Sequence, residues 1–218
     1  MPLEPSYQSN IYVPQTTPFT CGPAAGLMAL KLAKVLASSS WADEFQIWRE
    51  ANSVYMGSGQ AGCEPHGLAA SLRRRGARVL LWEHATADLF DVWSRRPDMK
   101  AVARFIRSID RSEAAKLGVE FLERPFSTAI FLDYSGDGWV PIVLSRDGRT
   151  LHWVTVQIKN DSEVRVLDPY QNGSPDDIPA PPKQIDIPHK DIKGRFTHRR
   201  GTAHAVIFVR ATEAEKNQ

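Results

Sequence analysis

The pattern of the chain changes once, near Ala129, and that change constrains the fold more than any other feature. Before it, apolar residues recur at helical spacing. An alanine- and leucine-rich run extends from Gly22 to about Ala37, a second amphipathic stretch passes through Trp41, Phe45, Ile47, Trp48 and Ala51, and a third runs from Pro65 to Arg75 with Gly76 at its end. Ser38, Ser39 and Ser40 supply a break and an N-cap between the first two. Ala77 to Trp82 has the apolar content of a short buried strand. After Ala129 come β-branched and aromatic runs: IFLDY, PIVL, LHWVTVQI, VRVLDPY, QIDI and AHAVIFVR. Gly136, Asp147–Gly148, Asn160–Asp161 and Asn172–Gly173 mark turns between them, and Pro179, Pro181 and Pro182 mark a further loop. A helical first half followed by an antiparallel second half predicts an α+β fold. Thr86 to Phe126 is again helical in pattern, broken by Pro97 and closed by Pro125, and reads as an insertion. The expectation is one domain over residues 1–218 with a helical insertion at about 84–126.

Composition narrows the functional classes. A chain of 218 residues with 42% hydrophobic content and six tryptophans can bury a full core. A net charge of +2 is too small to make nucleic acid or an anionic membrane an obligatory partner. No apolar run approaches the roughly 20 residues of a membrane span, and the first residues show neither a basic nor an apolar signal-peptide region. Two cysteines do not make a disulfide framework. These readings favour a cytoplasmic protein with reduced thiols.

One of those thiols stands in an informative place. Cys21 is followed by Gly22 and Pro23 at the predicted start of the first helix. There the unpaired N–H groups and the helix dipole favour an ionised sulfur. Gln15, six residues upstream, can aim its amide at the same point, as the donors of an oxyanion hole do. A cysteine nucleophile needs a base, and the base needs orienting. His152 lies in LHWVTVQI, and Asp168 closes VRVLDPY immediately before Pro169. The Asn160–Asp161 turn makes the two strands a predicted hairpin, so an imidazole and a carboxylate can meet across it.

Gln15, Cys21–Gly22, the His152 strand and Asp168–Pro169 together resemble the papain-like cysteine peptidases that process bacteriocin precursors after double-glycine leaders, in their stand-alone peptidase-like branch. The Pro65–Arg75 helix with Gly76 resembles that family's helix before a short strand. The resemblance implies a papain-like fold, its nucleophile helix packed on the antiparallel sheet. It also implies a peptide or protein substrate, no cofactor, and a thioester mechanism in which Cys21 attacks, His152 moves protons, Asp168 orients the ring and Gln15 binds the oxyanion. Transpeptidation, deamidation or γ-glutamyl transfer would use the same residues, and a peptide-binding module without catalysis is the reading from another class.

Other polar residues read more plainly. His204, opening the strand AHAVIFVR, is the competing base but has no acid placed as Asp168 is. Cys63 and His66 lack the further ligands of a metal site and read as an ordinary thiol and its neighbour. His84, His189 and His198 read as surface residues, Asp133, Asp137 and Asp147 as turn formers, and Arg73, Arg74 and Arg75 as a basic last helical turn matched to the dipole. Trp153, next to His152 on a strand, faces the other side and packs.

Overall fold

A computed structural model describes residues 11–52, 62–85, 97–147, 150–170, 183–197 and 203–212. The expected Gly57–Gly59, Asn172–Gly173 and Pro179–Pro182 loops, and His198, lie outside the described residues. The α+β expectation holds. The helices are α1 (Cys21–Leu32), α2 (Trp41–Ala51), α3 (Pro65–Arg74), α4 (Pro97–Lys116), α5 (Thr128–Gly136) and α6 (Ile192–Phe196). The strands are β1 (Arg78–Ala85), β2 (Glu120–Leu122), β3 (Val140–Asp147), β4 (Thr150–Ile158), β5 (Glu163–Asp168), β6 (Lys183–Pro188) and β7 (Ala203–Arg210). They form one sheet in the order β2-β1-β7-β3-β4-β5-β6, antiparallel except where β2 joins β1 in parallel.

Two cores cover the two faces of this sheet. One holds Leu27, Met28, Leu30, Leu68, Leu72, Leu81, Trp153 and Ile207, so α1, α2 and α3 lie on that side. The other packs Trp82, Phe126, Phe131, Phe196, Val154, Val166 and Phe208 beneath α5 and α6. Helix α1 is buried along almost its whole length, from Cys21 to Lys31. A helix apolar all round belongs in a core, and this one lies between the sheet and its two neighbouring helices.

Three local outcomes differ from the sequence expectation. First, α1 stops at Leu32 rather than Ala37, because Lys34 turns into the left-handed region at φ 60°. Second, the IFLDY run is helical rather than a strand. The Ser127 hydroxyl accepts a hydrogen bond from the Ile130 N–H (3.4 Å) and starts α5, which buries Phe131 against Phe126, Phe196 and Phe208. Aromatic and β-branched content encoded burial there, not strand geometry. Third, the 84–126 segment is helical over Pro97–Lys116, after which Glu120–Leu122 extends the sheet. Elsewhere the sequence signals act as expected. Ser40 and Asp43 form a capping box at α2, and Gly76 takes φ 91° after α3.

The start of α1 is packed with little slack. A Cβ on Gly22 would sit 3.0 Å from Cys63 Cβ and 3.2 Å from Trp153 Cδ1, both on residues that are themselves buried. Gly22→Ala therefore requires Cys63 and Trp153 to give by a few tenths of an ångström. Overpacking of this kind costs about 1–3 kcal/mol, which urea denaturation of the variant measures. A stability equal to the parent's would show that the start of α1 has room to move.

Candidate active site

Helix α1 runs alongside β4, and two contacts set how far along. Near the helix start, Gly22 lies so close to Trp153 that an added Cβ would come within 3.2 Å of its Cδ1. One turn on, the Thr155 hydroxyl donates to the Ala25 carbonyl (2.8 Å). Cys21 therefore begins its helix level with the first residues of β4, where His152 stands. Trp153 is buried with its indole N–H donated to the Cys63 carbonyl (3.1 Å), so it packs as the alternation predicted.

His152 and Asp168 meet at that end of the sheet. The β4–β5 register pairs Thr155 with Leu167, which sets His152 diagonal to Asp168 rather than directly across from it. His152 Nε2 lies 2.6 Å from Asp168 Oδ1. The Asp168 carboxyl is held down at about 2. Burial pushes it upward, but hydrogen bonds from His152, Lys183 and the Tyr170 amide, with the charge of His152, outweigh that. An ionised carboxylate only accepts, so Nε2 carries the proton. That leaves Nδ1 as the ring nitrogen not engaged by the carboxylate. Burial by itself would lower the imidazole pKa. Hydrogen bonds to Asp168 and Cys21, with the charges of both, reverse this and raise it to about 9.

Asp168 is more tightly held than a hairpin alone would require. Its Oδ1 also accepts from the Tyr170 N–H (2.9 Å), and its Oδ2 lies 2.7 Å from Lys183 Nζ. The Tyr12 hydroxyl donates to its backbone carbonyl (2.7 Å), and the Gln15 N–H donates to the Pro169 carbonyl (2.9 Å). The loop that leads into Cys21 is thus bonded to the turn that carries the acid. Buried Glu44 on α2 supports the same loop by accepting from the Thr16 N–H (2.9 Å).

Gln15 is placed differently from the other three. Its side-chain amide donates to the Thr17 carbonyl (2.7 Å), folded onto its own loop. An amide nitrogen has a second hydrogen, so this bond does not exhaust its donors. At the helix start, Thr20 turns its hydroxyl back to Thr17 and does not cap α1. The first-turn amides of α1 are thus not capped by the Thr20 side chain.

The remaining candidates divide clearly. His204 is buried on β7, edge-on to Trp82 (5.2 Å) and Phe126 (5.4 Å), in the core on the other face of the sheet. Its neighbour across the ladder is His84. Cys63 is buried, and burial first, then the charges of Cys21 and Glu64, push its thiol well above the ordinary range. Arg73 donates to the Leu117 and Ala77 carbonyls, Arg74 pairs with Glu113 and Arg75 with Glu50, so this basic turn pins neighbouring elements together.

His66 is not the bland neighbour of Cys63 that its sequence position suggested. It is fully buried, with Nδ1 2.7 Å from Glu64 Oε1 and Nε2 3.4 Å from Glu83 Oε2. Arg107 of α4 pairs with Glu83 and lies 3.9 Å from Glu64. The network ties α3, β1 and α4 behind the start of α1. Among the described residues, no group of three or more His, Cys, Asp or Glu side chains is arranged to hold a metal.

Sequence reasoning missed Tyr12, Glu44 and Lys183 around the site. Lys183 follows a long connection after β5, and its pairing opposite Asp168 is a matter of strand register in the sheet. Tyr12 and Glu44 act from distant segments, and no local signal marks them.

No helix among the described residues is long and apolar enough to cross a membrane. No curated protein matches the chain. A family model described as Peptidase_C39 like matches residues 11–210, a span that takes in the Cys21 helix and every strand of the sheet. The chain therefore belongs to the Peptidase_C39 like family and has its papain-like fold.

Proposed function

We propose that the protein is a cysteine peptidase that hydrolyses peptide or isopeptide-like amide bonds through a thioester on Cys21. The observation that carries this reading is the position of His152. Its Nε2 lies 2.6 Å from a buried carboxylate, and its imidazole is held well above the ordinary range by that carboxylate and by the helix-start thiol together. A cysteine nucleophile needs that relay and a packed core thiol does not.

The chemistry follows from the two ring nitrogens. The Cys21 sulfur, its proton passed to His152 Nδ1, forms a bond to the scissile carbonyl carbon. The carbonyl oxygen takes up the negative charge at the start of α1, where the Cys21 N–H and the free hydrogen of the Gln15 amide bind it. Collapse breaks the C–N bond, and His152 delivers its proton to the departing amine. Water then attacks the thioester, giving a proton back to His152. The second collapse releases the carboxylic acid and regenerates the thiol. Asp168 stays ionised throughout and holds the ring with Nδ1 toward sulfur.

A peptide-library digest comparing the parent with Cys21→Ala tests the proposal. Cleavage by the parent at a restricted set of bonds, lost in Cys21→Ala, is expected. Cleavage that survives in Cys21→Ala, or none by a folded parent, sinks the peptidase reading.

A further inference from the structure

Lys183 opens the edge strand β6 directly opposite Asp168, so the two side chains share one face of the sheet. Its ammonium lies 2.7 Å from Asp168 Oδ2, while His152 holds Oδ1. The ammonium also sits over the face of Tyr170 (5.7 Å to the ring centroid), and Tyr170 meets the His152 ring edge-on (6.2 Å). The Asp168 side chain is only 8% exposed, whereas that of Lys183 is 41% exposed. Solvent therefore screens the ammonium more than it screens the carboxylate.

Resting on the peptidase reading, we propose that Lys183 is a positioning residue for the Cys21–His152–Asp168 relay: its ammonium clamps the second carboxylate oxygen, holding Asp168 in one orientation and sharing its negative charge.

Two cations on one carboxylate oppose each other. By drawing on the charge of Asp168, Lys183 keeps that charge from holding the His152 proton too firmly. The imidazolium must release that proton to the leaving amine, so the clamp tunes the proton donor and also aims it. Among the described residues, the groups that could compete for this effect are few. Cys21 acts on His152 from α1, Asp168 faces it from β5, and Tyr170, two residues beyond Asp168, meets its ring. The residue across from His152 on β3 is Ser145, which does not titrate in this range. Lys159, Arg165 and Asp186 pair with one another farther along β4–β6 and leave this end alone.

The test follows the His152 ring by NMR across pH in the full-length chain. It compares the parent with Lys183→Met, Lys183→Gln and Lys183→Arg, the His152 signal being identified by its absence in His152→Gln. Removing the ammonium should move the His152 titration upward by about half a pH unit or more, as expected for a charge a few ångströms away in a partly screened site. The downfield N–H proton shared with Asp168 should broaden as the carboxylate loosens. Lys183→Arg should restore both features, and Lys183→Gln, which keeps a donor but no charge, should behave like Lys183→Met. A merely structural lysine would lower the melting temperature and leave the His152 titration in place.

An unchanged titration and N–H signal in folded Lys183→Met overturns the clamp, as does a Lys183→Gln chain identical to the parent. Should Lys183→Met fail to fold, the Gln and Arg variants carry the comparison. If instead the parent itself shows no elevated His152 titration, and His152→Ala leaves Cys21 alkylation unchanged, the peptidase reading has failed. Loss of the clamp alone leaves that reading intact.

Discussion

Replacing His152 with alanine should reduce peptide hydrolysis by about 10⁴-fold or more, because members of a nucleophile–base pair act as one unit. Alkylation gives the same answer without a known substrate. An unassisted thiol, ordinarily titrating near 8.5, is ionised to roughly 0.3% at pH 6. Carbamidomethylation of Cys21 by iodoacetamide at pH 6 should accordingly slow by about 10²-fold in His152→Ala, with the site located by peptide mapping. Cys63, buried and with its thiol pushed well up, should stay unlabelled in both chains. Equal labelling of Cys21 and Cys63 in the parent, or of Cys21 in parent and variant, would remove the basis for the relay.

The pH dependence has a definite sign. The His152 imidazole titrates at about 9 in the folded chain and near 6.5 in an unfolded one. The stability this shift contributes is complete below about 6.5 and is lost as pH rises through about 9. The Asp168 carboxyl goes the other way, from about 3.8 unfolded down to about 2 folded. Its contribution is present above about 3.8 and is lost as pH falls through about 2. Activity that requires the imidazolium should therefore fail on the alkaline side near 9.

The second large effect lies behind the site. Glu64→Ala should destabilise the fold by about 3–5 kcal/mol, the range found when one partner of a buried charge network is deleted. Glu64 caps α3, accepting from the His66 N–H (2.7 Å) and the Gly67 N–H (3.1 Å), while its other oxygen holds buried His66. Its loss strands those donors away from water and leaves Arg107 with Glu83 as its remaining carboxylate partner in the network. Chemical denaturation of the parent against Glu64→Ala measures the cost, and Glu64→Gln separates the cap from the charge. A loss below about 1 kcal/mol would mean that water or a repacked side chain satisfies the network. Because Cys63 packs against Gly22 and accepts the Trp153 indole, loosening this wall should also slow Cys21 alkylation.

How legible the site was depended on sequence distance. Cys21 at a helix start, His152 on one arm of a hairpin and Asp168 on the other are local features. A Gly-Pro helix start, strand periodicity and a turn signal suffice to place them. Gln15 was legible as a residue type and spacing, but its amide bond to Thr17 depends on the loop conformation. The IFLDY run misled because burial selects the same aromatic and β-branched residues in a helix as in a strand; the Ser127 cap and the apolar floor beneath α5 decided it. His66 misled for a related reason. Its partners Glu83 and Arg107 come from β1 and α4, and no local pattern announces them.

By itself the sequence determined the α+β division, the helix start that presents Cys21, and the hairpin that carries His152 and Asp168. These follow from periodicity and turn chemistry acting over a few residues. Only the tertiary structure decided how far α1 slides along β4, which ring nitrogen is left for sulfur, and that Lys183 and Tyr12 close around Asp168. Each depends on packing between segments far apart in the chain, where a shift of one residue would separate groups now within hydrogen-bonding distance.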